Sequence, residues 1–512
     1  MPIDRKSLPE DPAILQQMLV DLTTQLDKTQ RLLRQLLAAK SGTRSEQLST
    51  DQLRLFAQEL NVPAVTETQN DDDDLPPGSD SSSGEDKNES RSRGRRPLPS
   101  HLKRERIEHD LTAEEKHCAS CSQDLRPIGE ETSERYEYLP AQLLVIEDVC
   151  KKYACACTVK TASKPPQPIE KSAAGASLLA QVIVSKIADH LPVHRQAKIF
   201  HRFGVEIPDQ TMCGWMRQSA ELLDPLYVRL KQFVLNSKVV GTDDTPVKVL
   251  DRNLKRTTRK GRFWPYLGDR NHAAAVFDYT PTRERAGPEM FLKYYRGYLQ
   301  ADAYVAYDSF FTDPERGLVE VACWAHTRRH FHQALDTDPA RMGAVLAYIA
   351  QLYAVEKRAR RCGVEGHALR LLRQHASQPV LEKLHEYLSR IRDEVLPKSE
   401  AGQAVSYALK NWVALRRYCE DGDLAIDNNR TERSLRGIAV GRHNWTFLGS
   451  DRGGKTMAVL RSFVASCELA KVDPFAWFQD VLSRIGAHSI QQLDELLPHR
   501  WAAARPVANL LL

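Results

Sequence analysis

Between residues 237 and 335 the chain changes its period. On either side apolar residues recur at three- and four-residue steps, the spacing of a helix with one buried face. Inside the window the apolar residues come in short runs: KVVGT, GRFWPYLG, AAAVFDYT, YLQA and LVEVACW. Runs this short, bounded by Gly, Asp and Pro, read as strands. A helix is predicted at RAGPEMFLKYY, so the order is three strands, helix, strand, helix, strand, helix. That order restricts the core to an α/β fold with a mixed sheet and ligand positions at strand ends.

Acidic residues stand at two of those ends. Asp243 closes KVVGT and Asp302 closes YLQA, while Glu432 lies on a predicted polar helix, NNRTERSLR. A strand end fixes a side chain more rigidly than a loop does. Carboxylate oxygens suit Mg²⁺, and two ions about 4 Å apart need a few shared carboxylates, so the trio predicts a two-metal phosphoryl-transfer site. Element order and ligand placement together fit a ribonuclease H-like core. Asp244 competes with Asp243, because strand alternation lets only one of the pair face the site. Asn429, Glu432, Arg433 and Arg436 fall on one side of the helix, with Asp427 as its expected N-cap. Arginines in that position would meet phosphate.

A chain of 512 residues exceeds one compact core, so several units are expected. Residues 1–65 are predicted helical. Leu15, Leu19, Leu22, Leu26, Leu33 and Leu36 form a heptad seam interrupted at Thr29, a coiled coil suited to homo-oligomers or an amphipathic helix packed on its own chain. Residues 66–100 hold almost no large apolar residues and read as a disordered linker, acidic at Asp71–Asp74 and basic thereafter. Net charge is only +5, so the local pattern matters more: seven Arg or Lys lie between Arg91 and Arg106, a segment fit for a polyanion. Residues 172–236 read as helix, Gly-containing turn and helix, a helix-turn-helix shape that many pairs share without touching DNA. A helical insertion is predicted at about 336–420, within a catalytic region of 237–455, and residues 456–512 read as helical again.

Ten cysteines are too few for a disulfide scaffold in a chain this long. Cys118 and Cys121, with Cys155 and Cys157, make two close pairs in a segment of 101–165 that can hold a structural Zn²⁺. The second pair has one intervening residue instead of two, and Cys150 is an alternative ligand. Gly449–Thr456 matches a phosphate-binding loop letter for letter, but only 56 residues follow and they read as helices. No nucleotide is expected there, and the stretch reads as a basic, flexible turn. No apolar run approaches the roughly 18 residues a membrane span needs, and the N-terminus lacks a signal core. The expected setting is cytoplasmic and nucleoid-associated.

Specific stretches carry a resemblance to a known family. TRSEQL, GRRPLPSHLKRERIEHDL, DHLPVHRQAKIFHRFGV, TDDTPVKVL, LQADAYVAYD, CWAHTRRHF, IDNNRTERSLR, GRHNWTFLGSDRGG and DELLPHRW run nearly end to end. The chain resembles transposases of the insertion-sequence-66 family, a group of DDE transposases. The resemblance implies that Asp243, Asp302 and Glu432 are a catalytic triad using two Mg²⁺, and that the cysteine segment is a zinc module for terminal-repeat DNA. It also implies double-stranded DNA partners, terminal inverted repeats and target, and accessory transposition proteins. Cys323 and His326 resemble a Cys-x-x-His signature of some DDE enzymes that organises the site; Arg328 and Arg329 follow as phosphate contacts. The family often carries Glu where this chain has Asp244. A DNA-binding regulator and a structure-specific nuclease compete with this reading, and a strand-transfer assay separates them.

Overall fold

In a computed structural model of the chain, the described residues are 143–148, 152–154, 159–161, 167–170, 172–251, 258–302 and 307–505. The coiled coil of 13–40, the linker of 66–100 and Cys118, Cys121, Cys150, Cys155 and Cys157 lie outside them. Residues 143–148 belong to a separate unit, Asp71–Val149, and are exposed without regular secondary structure. In the other unit a short antiparallel pair, β1 (Lys152–Ala154) and β2 (Val159–Thr161), brackets Cys155 and Cys157 in sequence.

The predicted strand window is a mixed sheet of six strands, one more than the five expected, because Thr245–Leu250 also pairs in it, so four strands and not three precede the first helix. Its strands are β3 (Val239–Thr242), β4 (Thr245–Leu250), β5 (Thr258–Leu267), β6 (Ala275–Thr280), β7 (Gly297–Ala301) and β8 (Leu318–Ala322). On one side of β5 lies β6; on the other lie β3 and then β4, all antiparallel to it. Thr242 pairs with Tyr266 and Thr245 with Phe263, so β3 and β4 keep one register along β5. They are a single strand opened at Asp243 and Asp244. Parallel β7 and β8 continue the sheet beyond β3.

The opening in that strand has a cause in β5. The shared register puts Pro265 opposite Asp243. Phe277, the partner of Pro265 on β6, turns its N–H to Ser462 Oγ (2.8 Å) and its carbonyl to the Tyr227 hydroxyl (2.8 Å). Backbone polar groups alternate sides along an antiparallel ladder, so the donor that proline lacks is the one that would have bonded Asp243.

Both sheet edges are covered, as exposed edges invite pairing with other chains. Helix α13 (Asp451–Leu469) lies along β6, where Ser466 Oγ takes the N–H of Ala275 and donates to its carbonyl. At the other edge the Arg417 guanidinium donates to the carbonyl of Glu320 on β8. Three helices precede the sheet: α1 (Ala176–Ile187), α2 (Val193–Arg202) and α3 (Asp209–Leu235). Pro208 is the N-cap of α3, and Asp209 is its first residue. The buried faces of α1 and α3 share one hydrophobic core with the sheet, α13 and α14 (Pro474–Arg484). Trp264, Trp477 and Trp501 are at most 2% exposed in it; burying an aromatic of this size contributes about 2–3 kcal/mol.

Two short helices flank β7, α4 (Ala286–Phe291) before it and α5 (Asp308–Phe311) after it, and α6 (Trp324–Gln333) follows β8. The insertion then comprises α7 (Pro339–Arg361), α8 (Gly366–Ala376), α9 (Gln378–Arg392), α10 (Glu400–Lys410) and α11 (Trp412–Arg416). It has its own core, which includes Trp324, Phe331, Leu384 and Trp412. The chain returns to the sheet through α12 (Asn429–Trp445), and Leu448 then pairs with the free edge of β4. The phosphate-loop letters do not form a flexible turn. Ser450 caps α13, Asp451 to Thr456 are its first turns, and Gly454 lies against the Tyr279 ring. A Cβ there would come within 2.6 Å of that ring.

Candidate active site

Parallel pairing brings the first two carboxylates together. Gly241 pairs with Gln300, and Ala301 with Ala322. The same offsets carried to the strand ends put Asp243 level with Asp302, and Asp302 level with Cys323. Neighbouring strands lie about 4.8 Å apart, so these side chains leave one face of the sheet as adjacent groups. Burial raises the Asp243 carboxyl to about 7; the next largest cause is the charge of Asp302, and Glu432 adds to it. The N–H of Asp244, donated to Asp243 Oδ1 at 2.7 Å, opposes the rise.

Asp244 points elsewhere. Its side chain is 3% exposed and lies between Arg262 Nη1 and Arg283 Nη2, each at 2.7 Å. Two guanidiniums neutralise it, on the side of the strand to which alternation turns the neighbour of Asp243. Arg262 and Arg283 were not among the sequence candidates. They come from β5 and the loop after β6, and nothing in their spacing pairs them with Asp244.

Glu432 arrives on α12, which crosses β3 at Gly241. A Cβ on Gly241 would lie 2.3 Å from Thr431 Oγ1 and 3.2 Å from Asn428 Oδ1, so only glycine admits the helix this closely. Asn428, the N-cap residue of α12, joins three elements. Its Nδ2 donates to the Thr242 carbonyl (2.8 Å), and its backbone N–H donates to Cys323 Sγ (3.2 Å). The expected cap, Asp427, sits one residue earlier and accepts from the N–H (3.2 Å) and the Nδ2 (3.1 Å) of Asn429. Asn429 is thereby committed to the helix start. Arg433 and Arg436 are exposed on α12.

Cys323 and His326 stand at the end of β8 and on the first turn of α6. His326 Nδ1 lies 3.5 Å from Glu432 Oε1. Among the described residues, the one group of three metal-binding donors that converges within 4.8 Å is Cys323, His326 and Glu432, not the three carboxylates. Arg328 and Arg329 are half-buried, and their electrostatic influence falls on Tyr353 and His330 respectively. Tyr407, from the insertion, donates to the Asp302 carbonyl (3.1 Å) and packs its ring 4.4 Å from that of His330. Gly241, Asn428, Pro265 and Tyr407 support the site without carrying charge. Of these only Pro265, a proline inside a predicted strand, left a readable signal.

Among the described residues no helix is long and apolar enough to cross a membrane. Four family descriptions match the chain: "Transposase IS66 family" over residues 171–456, "IS66 C-terminal element" over 462–499, "zinc-finger binding domain of transposase IS66" over 115–158, and "Transposase C of IS166 homeodomain" over 29–107. Relatives include two proteins of Sinorhizobium fredii (strain NBRC 101917 / NGR234). Uncharacterized protein y4jD is 33% identical, with 98% of this chain and 99% of the relative aligned. Uncharacterized protein y4hP is 30% identical, with 96% and 91% aligned. A row of carboxylates on a mixed sheet, a helix-borne Glu beside it and family matches along most of the length agree: this chain belongs to the IS66 family of transposases.

Proposed function

We propose that the protein cleaves the ends of an insertion element and joins them to target DNA, with Asp243, Asp302 and Glu432 holding two Mg²⁺. The observation that carries this reading is the level pair Asp243 and Asp302 on adjacent parallel strands, with Glu432 within electrostatic reach. The residues fit such ions: a carboxyl raised to about 7 by burial, and further by the charges of Asp302 and Glu432, is a position whose cost a cation removes. When bound, the ions would activate the attacking oxygen and stabilise the leaving one. The protein's part is to hold the ligands still. The ladder gap opposite Pro265 frees Asp243 from the sheet, Arg262 and Arg283 hold Asp244 away, and Asn428 ties the Glu432 helix to the ends of β3 and β8. Arg433 and Arg436, on the exposed side of α12, are placed to meet the phosphate backbone.

In the same reading Cys118, Cys121, Cys155 and Cys157 hold a structural Zn²⁺ in a module of 101–165, and residues 172–236 and this module contact terminal-repeat duplex. The N-terminal helices of 1–65 pair protomers, and the catalytic unit spans 237–455. The test uses the purified full chain with Mg²⁺, a labelled element-end duplex and a target plasmid. The wild type is expected to cleave the end and join it, and Asp302→Asn to do neither. An Asp302→Asn protein that still cleaves and joins would overturn the assignment, and cleavage without joining by the wild type would make the protein a nuclease.

A further inference from the structure

Next to the carboxylate row lies a donor set of a different chemistry. We propose that Cys323, His326 and Glu432 form a binding site for one soft divalent transition ion of the Zn²⁺ class, sharing Glu432 with the carboxylate pair. The ligand atoms of the three residues lie within 4.8 Å of one another, and His326 Nδ1 and Glu432 Oε1 are 3.5 Å apart. Donors held about 2.0–2.3 Å from one tetrahedral ion stand roughly 3.3–3.8 Å apart, so the observed separation is that of two ligands of one metal.

The second observation is an unmet need. His326 Nδ1 and Glu432 Oε1 are buried atoms, and neither has a hydrogen-bond partner although they face each other. Buried polar atoms left unpaired cost about 1–3 kcal/mol each, and an ion between them would satisfy both. Cys323 completes the set. It is fully buried at the sheet end, and its sulfur accepts from the backbone N–H groups of Asn428 and His326. Such donors also stabilise a metal-bound thiolate. Without an ion the thiol is pushed up to about 12, chiefly by burial, so it is inert as a nucleophile at neutral pH; a coordinating metal deprotonates it outright. Sulfur and imidazole select against Mg²⁺, which prefers oxygen and separates this position from the Asp243–Asp302 pair. The side-chain exposure of His326 (19%) and Glu432 (28%) leaves one side open for a water as fourth ligand.

Such an ion would fix the orientation of Glu432. That consequence rests on the transposase reading, whereas binding of the ion does not. The test compares tightly bound zinc per chain, measured by elemental analysis of the full-length protein after dialysis from Zn²⁺, in wild type, Cys323→Ala and His326→Ala. Zinc held by Cys118, Cys121, Cys155 and Cys157 is common to all three. Each variant is expected to bind one equivalent fewer than wild type, and Asp302→Asn to bind the full amount. Cobalt substitution is expected to give a thiolate charge-transfer band that weakens in Cys323→Ala. Equal zinc in the wild type and His326→Ala would overturn the proposal. His326 is half-buried, so its replacement keeps the test informative if Cys323→Ala does not fold. Loss of cleavage in Asp302→Asn alongside equal zinc throughout would remove this site and leave the transposase reading standing.

Discussion

At the scale of the residue, Asp243 and Asp244 show how two identical neighbours acquire different chemistry. Asp244 is neutralised by Arg262 and Arg283, while burial, and after it the charges of Asp302 and Glu432, push the Asp243 carboxyl up to about 7. The sign of the stability effect follows from that rise. Below the unfolded value of 3.8 both states are protonated and nothing is lost. Between there and 7 the folded state keeps a proton that the unfolded state has released, so stability falls as pH rises. Above 7 the full penalty applies, up to roughly 4 kcal/mol. Asp243→Asn is therefore expected to raise the melting temperature at pH 8 without added Mg²⁺, by an amount that shrinks toward pH 5. Mg²⁺ is expected to stabilise the wild type and not the variant. Melts at both pH values check this, and a variant no more stable than wild type at pH 8 would contradict it.

At the scale of the element, the crossing of α12 over β3 depends on Gly241. Gly241→Ala puts a methyl 2.3 Å from Thr431 Oγ1, and Thr431 is 2% exposed with no room to retreat. Overpacking of this kind costs about 1–3 kcal/mol. Because the helix must lift, DNA cleavage is expected to fall further than the stability loss explains at a temperature where the variant is folded. Gly449→Ala, with nothing within 4 Å of the added carbon, is the control and is expected to be neutral. Denaturant melts beside cleavage rates decide it. Five of the strands and their acidic ends were legible in the sequence because short apolar runs bounded by Gly, Asp and Pro leave few other folds. The helix-borne Glu432 was legible from the three- and four-residue spacing around it. Strand β4 was not, since Pro246 and Lys248 interrupt the apolar residues of TPVKVL, and its continuity with β3 shows only in the register along β5. The convergence of Cys323 and His326 on Glu432 was likewise hidden, because it needs the offset between β7 and β8 and the crossing of α12.

At the scale of the whole molecule, the insertion is tied to the site through a buried charge. Arg373 on α8 is 2% exposed and forms a paired contact with Glu356 on α7, both bonds at 2.8 Å. Its Nη1 also donates to the carbonyls of Tyr418 (2.7 Å), Asp421 (3.0 Å) and Leu424 (2.9 Å). Those carbonyls begin the segment that leads into α12. Further along it, Gln300 of β7 donates to Ala425 O (2.8 Å), Trp324 to Ile426 O (3.2 Å), and Asn428 bonds both Thr242 and Cys323. The insertion core and the sheet thus hold successive residues of the strip that delivers Glu432. Arg373→Met fills similar volume but strands the Glu356 charge and three carbonyls, and breaking a buried pair from one side costs about 3–5 kcal/mol. The expected result is a lower denaturation midpoint together with faster amide exchange at 424–428, while amides of β5 and β6 keep their protection at low denaturant. Cleavage falls in the same variant with little change in DNA affinity, because the phosphate contacts proposed for Arg433 and Arg436 remain on an intact helix. Exchange that accelerates uniformly across the sheet would mean that Arg373 supports the fold at large and does not act through the strip that positions Glu432.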